Sequence, residues 1–284
     1  MKSNLLNECI IVSKEIDDKF ILAKNRDRTY KPKLEIIHEL IDGVEVLHLH
    51  DLQTDWSEGI NEFGIGIVNT ALVVGYDEKE LKIIRKTGNI SDDGDKIRTA
   101  LSKNNLKDAV SSIVKYKKGL RGHTFISSPK NMITVEMSNR TPIIKLVNTK
   151  DPLVRTNHGH AYTYAGYSSG KSFESSKIRE ISAELQITKA KKWYELGPLL
   201  RKKFFDDKSR FNMKRDTPKL KTSSQMVLNL TDKIVLFTYF PNNVEKFAGV
   251  KNKLPKGYTP KIKLVVEKIE DKTSKKPISI KRFL

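Results

Sequence analysis

The chain has 284 residues, of which 38% are hydrophobic and 31% charged, so it has ordinary globular composition and enough length to bury a sizeable core. Its 53 Lys+Arg outnumber 34 Asp+Glu, giving a formal net charge of +19, and its single cysteine rules out an intrachain disulfide. Nowhere is there a run of about 18 apolar residues that would cross a membrane, and the opening MKSNLLNE lacks the apolar core of a secretory signal.

Cys9 to Ser13 is a short apolar run, followed by the turn-prone Glu15–Asp18 and a second run, Phe20 to Ala23. That pattern predicts two strands joined by a tight turn. Leu34–Leu40 and Val44–His50 flank Asp42-Gly43, a strong hairpin signal. Ile65–Val74 reads as a buried strand rich in β-branched residues. Apolar residues at three- and four-residue spacing then predict helices over Glu78–Lys86, Lys96–Ser102 and Leu106–Val114. Strands are expected at His123–Ile126, Met132–Met137, Ile143–Val147 and Leu153–Thr156. Helices follow at Phe173–Leu185 and Ala190–Phe205, the second kinked near Gly197-Pro198. Met226–Leu230 and Ile234–Tyr239 form a closing hairpin, and Lys261–Val266 is a late strand. Strands joined by short turns, alternating with groups of helices, indicate an α+β fold with antiparallel sheets and helices packed outside.

A lone thiol fits a reducing compartment, so a cytoplasmic location is expected. The excess of lysine and arginine would attract nucleic acid or another anionic partner. It is spread along the chain, however, which favours a solvated basic surface over a dedicated nucleic-acid site. There is no GxGxxG, no GxxxxGK(S/T), no HExxH and no paired CxxC, so no cofactor and no metal is expected. His158 and His160, two apart in a loop, are the one local pair with ligand chemistry. The sequence does not fix the oligomeric state.

Most lone cysteines are buried hydrophobes, so the surroundings of Cys9 must argue for chemistry. Cys9 opens a strand, Asp27 is expected on the loop after the next strand, which a hairpin brings back beside Cys9, and the polar cluster Asn25-Arg26-Asp27-Arg28 sits at the end of that otherwise apolar strand. Ala23-Lys24-Asn25-Arg26-Asp27 is similar to the Arg-Asn-x-Asp motif that follows the nucleophile strand of cysteine N-terminal-nucleophile (Ntn) hydrolases. Trp56, Gly59, Asn61-Glu62 and Gly64, running into Asn69, resemble a second motif of that family. Thr156-Asn157-His158, followed by Ser175-Ser176-Lys177-Ile178-Arg179, resembles a third and a fourth. Over roughly residues 9–240 the chain thus resembles the choloylglycine hydrolases and, more closely, the acyl-coenzyme A:6-aminopenicillanic acid acyltransferase-like branch.

The resemblance implies a four-layer αββα sandwich of two antiparallel sheets with outer helices. It implies residues 1–8 removed by autoprocessing and residues 9–284 as a single domain. It also implies an acyl-enzyme on Cys9 that cleaves or transfers an acyl group at an amide bond of a small acylated molecule or peptide. The α-amine of Cys9 would be the base, Asp27 would hold that amine, and Asn157 would donate to the oxyanion with Asn69 beside it. Lys24 and Arg179 would bind substrate. Two departures stand out. Lys24 replaces an arginine, losing the planar fork, and Arg26, two residues on, is expected on the opposite face of the strand. The Tyr-, Gly- and Ser-rich segment His158–Phe173 reads as a loop over the site. The alternative reading is a catalytically silent Ntn-fold protein that binds an anionic partner through its basic surface.

Overall fold

The computed structural model describes residues 8–72, 92–115, 120, 122–137, 142–147, 151–161 and 173–270. The helix expected at Glu78–Lys86, the far end of the strand expected at Ile65–Val74 and most of the 158–173 loop lie outside the described residues.

The first hairpin pairs β1 (Glu8–Ile16) with β2 (Lys19–Arg28). Asp17 and Asp18 form its turn, both with φ near +55°, the type I′ geometry that matches strand twist. Asp42 (φ 53°) and Gly43 (φ 80°) make the same kind of turn between β3 (Lys33–Ile41) and β4 (Val44–Asp51). β5 (Trp56–Asn61), β6 (Gly66–Ala71), β7 (Gly122–Ser127), β8 (Met132–Met137) and β9 (Ile143–Val147) extend the β3–β4 sheet. β10 (Leu153–Arg155), β11 (Lys221–Asn229), β12 (Ile234–Tyr239) and β14 (Lys263–Lys268) complete the sheet of β1 and β2, while β13 (Lys246–Asn252) joins the other. The result is a six-stranded sheet, β10-β1-β2-β11-β12-β14, and an eight-stranded one, β13-β3-β4-β5-β6-β7-β8-β9. Two edge pairings, β12 with β14 and β13 with β3, are parallel, so the sheets are mixed rather than purely antiparallel.

Ile11, Phe20, Leu22, Leu34, Leu47, Val68 and Phe237 fill the space between the sheets. The other face of β1 and β2, with Ile10, Val12, Ile21 and Ala23, packs on helix α3 (Glu174–Ile187) and the short helix α4 (Leu196–Leu200). On the outside of the eight-stranded sheet, Val46, Ile67 and Ile126 pack on α1 (Asp92–Leu101) and α2 (Leu106–Val114). Four layers, αββα, follow directly. β1 is buried on both faces, which is why it reads as an unbroken apolar run and not as an alternation. The expected long helix over Ala190–Phe205 is instead a 3-10 turn at Trp193–Glu195 followed by the five-residue α4, whose first turn holds Pro198, where a missing N–H is tolerated. β5 and β13 had not been anticipated.

Candidate active site

Asp27 belongs to β2 itself, not to a loop beyond it, and it pairs in register with Glu8 as Arg26 does with Cys9. Partners across an antiparallel pair share a face, and side chains along a strand alternate. Cys9, Lys24, Arg26 and Arg28 therefore all point between the sheets. Glu8 and Asp27 point toward α3, and Asn25, on the same face, toward the end of α4. The expectation for Arg26 is corrected by the same rule: two residues from Lys24 means the same face, and both cations meet Glu58.

Cys9 is 2% exposed and lines a cavity of about 20 Å³, room for about one water, together with Lys24, Arg28, Trp56, Asn69 and Ala71. Arg28 Nη1 lies 3.5 Å from the Cys9 sulfur and is anchored by the Asp27 carbonyl at 2.7 Å. Burial alone would weaken the Arg28 charge, but the pull of Cys9, Tyr30 and Asp51 outweighs it and holds its pKa above the ordinary value. Lys24 is ion-paired to Glu58 and stands 5.5 Å from the Trp56 ring centre. Burial pushes its pKa down, against the pull of Glu58 and Cys9. Arg26 is paired to Asp51 at 2.8 Å, and Tyr30 donates to the same carboxylate. Three cations thus face two carboxylates around the sulfur, so a negative charge forming on it is met by a positive surplus.

The Cys9 backbone N–H donates to Asn157 Oδ1 at 3.3 Å. Both amide hydrogens of Asn157 are in use, toward Thr70 Oγ1 at 2.9 Å and the Ala71 carbonyl at 2.7 Å. Asn157 therefore anchors the Cys9 nitrogen to β6; the donor expected from it for an oxyanion is engaged elsewhere. Thr70 Oγ1 also lies 3.5 Å from the Cys9 carbonyl. Asn69 donates Nδ2 to Thr124 Oγ1, leaving its Oδ1 without a partner among the described residues. A turn of that amide, with the Thr124 hydroxyl becoming the donor, would put Nδ2 where Oδ1 now lacks a partner, in a residue that lines the cavity.

On the opposite face of β1, Arg179 Nη2 donates to Asp27 Oδ2 at 2.6 Å and Thr222 donates to Asp27 Oδ1 at 2.6 Å. Arg179 is fully buried, not on the helix surface. The Asp27 carboxylate is thus tied to α3 and β11, on the side away from the sulfur. Ser176 accepts from the Asn157 N–H at 2.8 Å, and Glu180 accepts from Thr156, so the first turns of α3 fix the Thr156-Asn157 segment. Asn61 accepts from Phe63 and Ile65 and donates to the Leu101 and Lys103 carbonyls, which makes it a turn residue. Arg28, Thr70 and Arg215 were given no role in the sequence reading. Arg28 was within reach of it: positions 24, 26 and 28 share a face once β2 is drawn to its full length.

His158, His160 and Glu180 bring ligand atoms within 4.8 Å of one another. His160 Nε2 lies 2.8 Å from Glu180 Oε1, and His158 Nδ1 is hydrogen-bonded to Ser176, leaving its Nε2 toward Glu180. This group has the chemistry to hold a divalent metal beside Asn157.

The architecture has solved counterparts. A Caenorhabditis elegans N-acylethanolamine-hydrolysing acid amidase ortholog aligns with a TM-score of 0.52 at 15% identity, covering 78% of this chain and 93% of that one. The chain has the Ntn-hydrolase fold. Penicillin V acylase from Agrobacterium tumefaciens also aligns, at 11% identity and a TM-score of 0.47, over 91% of this chain and 99% of its own. No family model and no curated protein matches the sequence. In this Ntn fold the cysteine stands at the start of β1, at the edge of the gap between the two sheets.

Proposed function

We propose that the protein is a self-processing cysteine amidase in which cleavage between Glu8 and Cys9 leaves residues 9–284 as the mature domain. The observation that carries this reading is the setting of Cys9. Its nitrogen is held by Asn157, its sulfur stands beside Arg28, and both lie at the start of a strand on a small cavity. The same-fold C. elegans protein is by name an amide-hydrolysing enzyme, which supports the reaction class.

The geometry supports the following chemistry. In processing, the Cys9 sulfur attacks the Glu8 carbonyl carbon, the C–N bond breaks, and water cleaves the resulting thioester to release the leader. The liberated α-amine, with an ordinary pKa of about 7.7–8.0, can take the thiol proton near neutral pH. In turnover the thiolate attacks a substrate amide, the amine leaves with that proton, and the acyl-enzyme passes its acyl group to water or to another amine. Arg28 meets the charge that forms on sulfur. Asn157 and Thr70 hold the nitrogen and carbonyl of Cys9, and Asn69, with its amide turned, supplies a donor for the oxyanion. Asp27 braces the strand end that carries the α-amine through Arg179. Lys24 and Trp56 form the wall of the cavity. A cavity of this size admits no substrate, so turnover requires the site to widen. The lone thiol fits action in a reducing compartment such as the cytoplasm.

Intact-mass measurement of the purified protein tests the proposal. Loss of Met1–Glu8, and an acyl mass on Cys9 after exposure to amide substrates, are expected. An active protein that keeps Met1–Glu8 would contradict it.

A further inference from the structure

Glu8 stands on the acyl side of the bond that processing would cut, and its side chain is held as a ligand would be. Its Oε2 accepts from Arg215 Nη2 at 2.6 Å and from Arg179 Nη1 at 3.2 Å. Both arginines are buried, and each keeps an Nε with no hydrogen-bond partner among the described residues. Ser175, in the first turn of α3, accepts from Arg215 Nη2 at 2.7 Å, and the Arg215 backbone N–H is tied to Thr222. The fork is therefore set by the protein and not by Glu8 alone. Burial and the like charge of Arg179 push Arg215 down to about 10, which leaves it charged at neutral pH.

The charges balance only while Glu8 is present. Two guanidinium groups face two carboxylates, Glu8 and Asp27. Once the leader departs, both arginines share Asp27 alone. A buried cation without a partner is costly, so the vacated position favours another anion. The same sulfur attacks the Glu8 carbonyl in processing and the substrate carbonyl in turnover, so the substrate acyl chain inherits the place of the Glu8 side chain.

We propose that Arg179 and Arg215 form the acyl-side specificity site of the mature enzyme, and that its substrates are amides whose acyl group ends in a carboxylate at the spacing set by Glu8, a glutaryl or α-glutamyl group. This rests on the amidase reading above. The step balances as written there: sulfur–carbon bond formation, C–N cleavage, departure of the protonated amine, then hydrolysis to the free diacid and thiol.

The test uses the processed protein with p-nitroanilides of glutaric acid, of its monomethyl ester and of pentanoic acid, with intact mass of the enzyme read alongside. The glutaryl anilide is expected to exceed both neutral ones in kcat/KM by about tenfold or more, since charge-assisted bonds supply at least that factor. Arg215→Gln is expected to bring the glutaryl-to-pentanoyl ratio near one. Neutral anilides cleaved as fast as the glutaryl one by the native enzyme would overturn the acyl-side assignment and leave the amidase standing. Cleavage of none of the three, with no acyl mass on Cys9, would overturn the amidase reading and this inference with it. Should Arg215→Gln fail to fold, the comparison of the three anilides on the native enzyme decides alone.

Discussion

Arg28 is the side chain whose charged group the structure places against the sulfur, and it is held there by the carbonyl of its own neighbour, Asp27. Replacing it removes a cation preorganised for the developing anion without opening the sheet, because Arg26 and Lys24 keep their own carboxylates. Arg28→Met is therefore expected to lower kcat by about 10²–10³, the usual loss for one preorganised electrostatic contact in a dry site. Arg28→Lys should recover part of that loss, since it keeps the charge and loses the fork. Steady-state kinetics on a cleavable amide, with circular dichroism to verify folding, would check both. An unchanged kcat in Arg28→Met would remove Arg28 from the mechanism.

At the scale of elements, the site is a junction of β1 and β2 from one sheet, β6 from the other, and the Asn157 segment pinned to α3. Thr70 links the two sheets, its hydroxyl reaching the Cys9 carbonyl, and beside it Gly122, paired with Ala71 across β6 and β7, sits at φ 145° with space for no side chain. A Cβ at Gly122 would stand 2.0 Å from the Thr70 carbonyl oxygen. Gly122→Ala must push β6 from β7 and with it the hydroxyl that receives Asn157. We expect a destabilisation of about 1–3 kcal/mol, as for other overpacked interiors, together with a loss of turnover, read from urea unfolding and from kinetics. Gly43 offers the contrast, having φ 80° with nothing within 4 Å of an added Cβ. Gly43→Ala should cost about 1–2 kcal/mol of turn strain and leave turnover intact. Equal effects of the two substitutions on turnover would dismiss the junction as a control point.

Across the whole molecule, buried neutral histidines set the acid limit of the fold. Burial first, against the pull of Glu136 and a bond to the His158 carbonyl, lowers His123 from 6.5 to about 4. His48 and His158 are pushed down by burial in the same sense. The unfolded chain then takes up protons more readily than the folded one, so this stability is full above pH 6.5 and is lost as pH falls toward 4. Glu39 adds a second loss. The hydrogen bond from His48 and the one from Lys253 hold it near 2 against burial, so its contribution is present above 4.5 and fades below. The urea midpoint should fall between pH 7 and 5 and fall further in stronger acid. His123→Gln, which can still donate to the His158 carbonyl, should flatten the first decline, and an equally steep decline in that variant would acquit His123.

The α+β class, both tight hairpins, most strands and the placing of Cys9 at a strand start were legible in the sequence, because turn chemistry and apolar runs are local signals. Lys24, Asp27, Asn69, Asn157 and Arg179 entered as candidates through the family resemblance of the motifs that hold them. What the sequence left open was which face each of them takes and which partner it meets across the sheets. Asp27 turned out to brace α3 and Asn157 to hold a backbone nitrogen, while Arg28 and Arg215, far apart in the chain, came to the two sides of β1. Those outcomes depend on register and on contacts between distant segments, where a shift of one residue would exchange the two faces of a strand, and no local pattern carries that information.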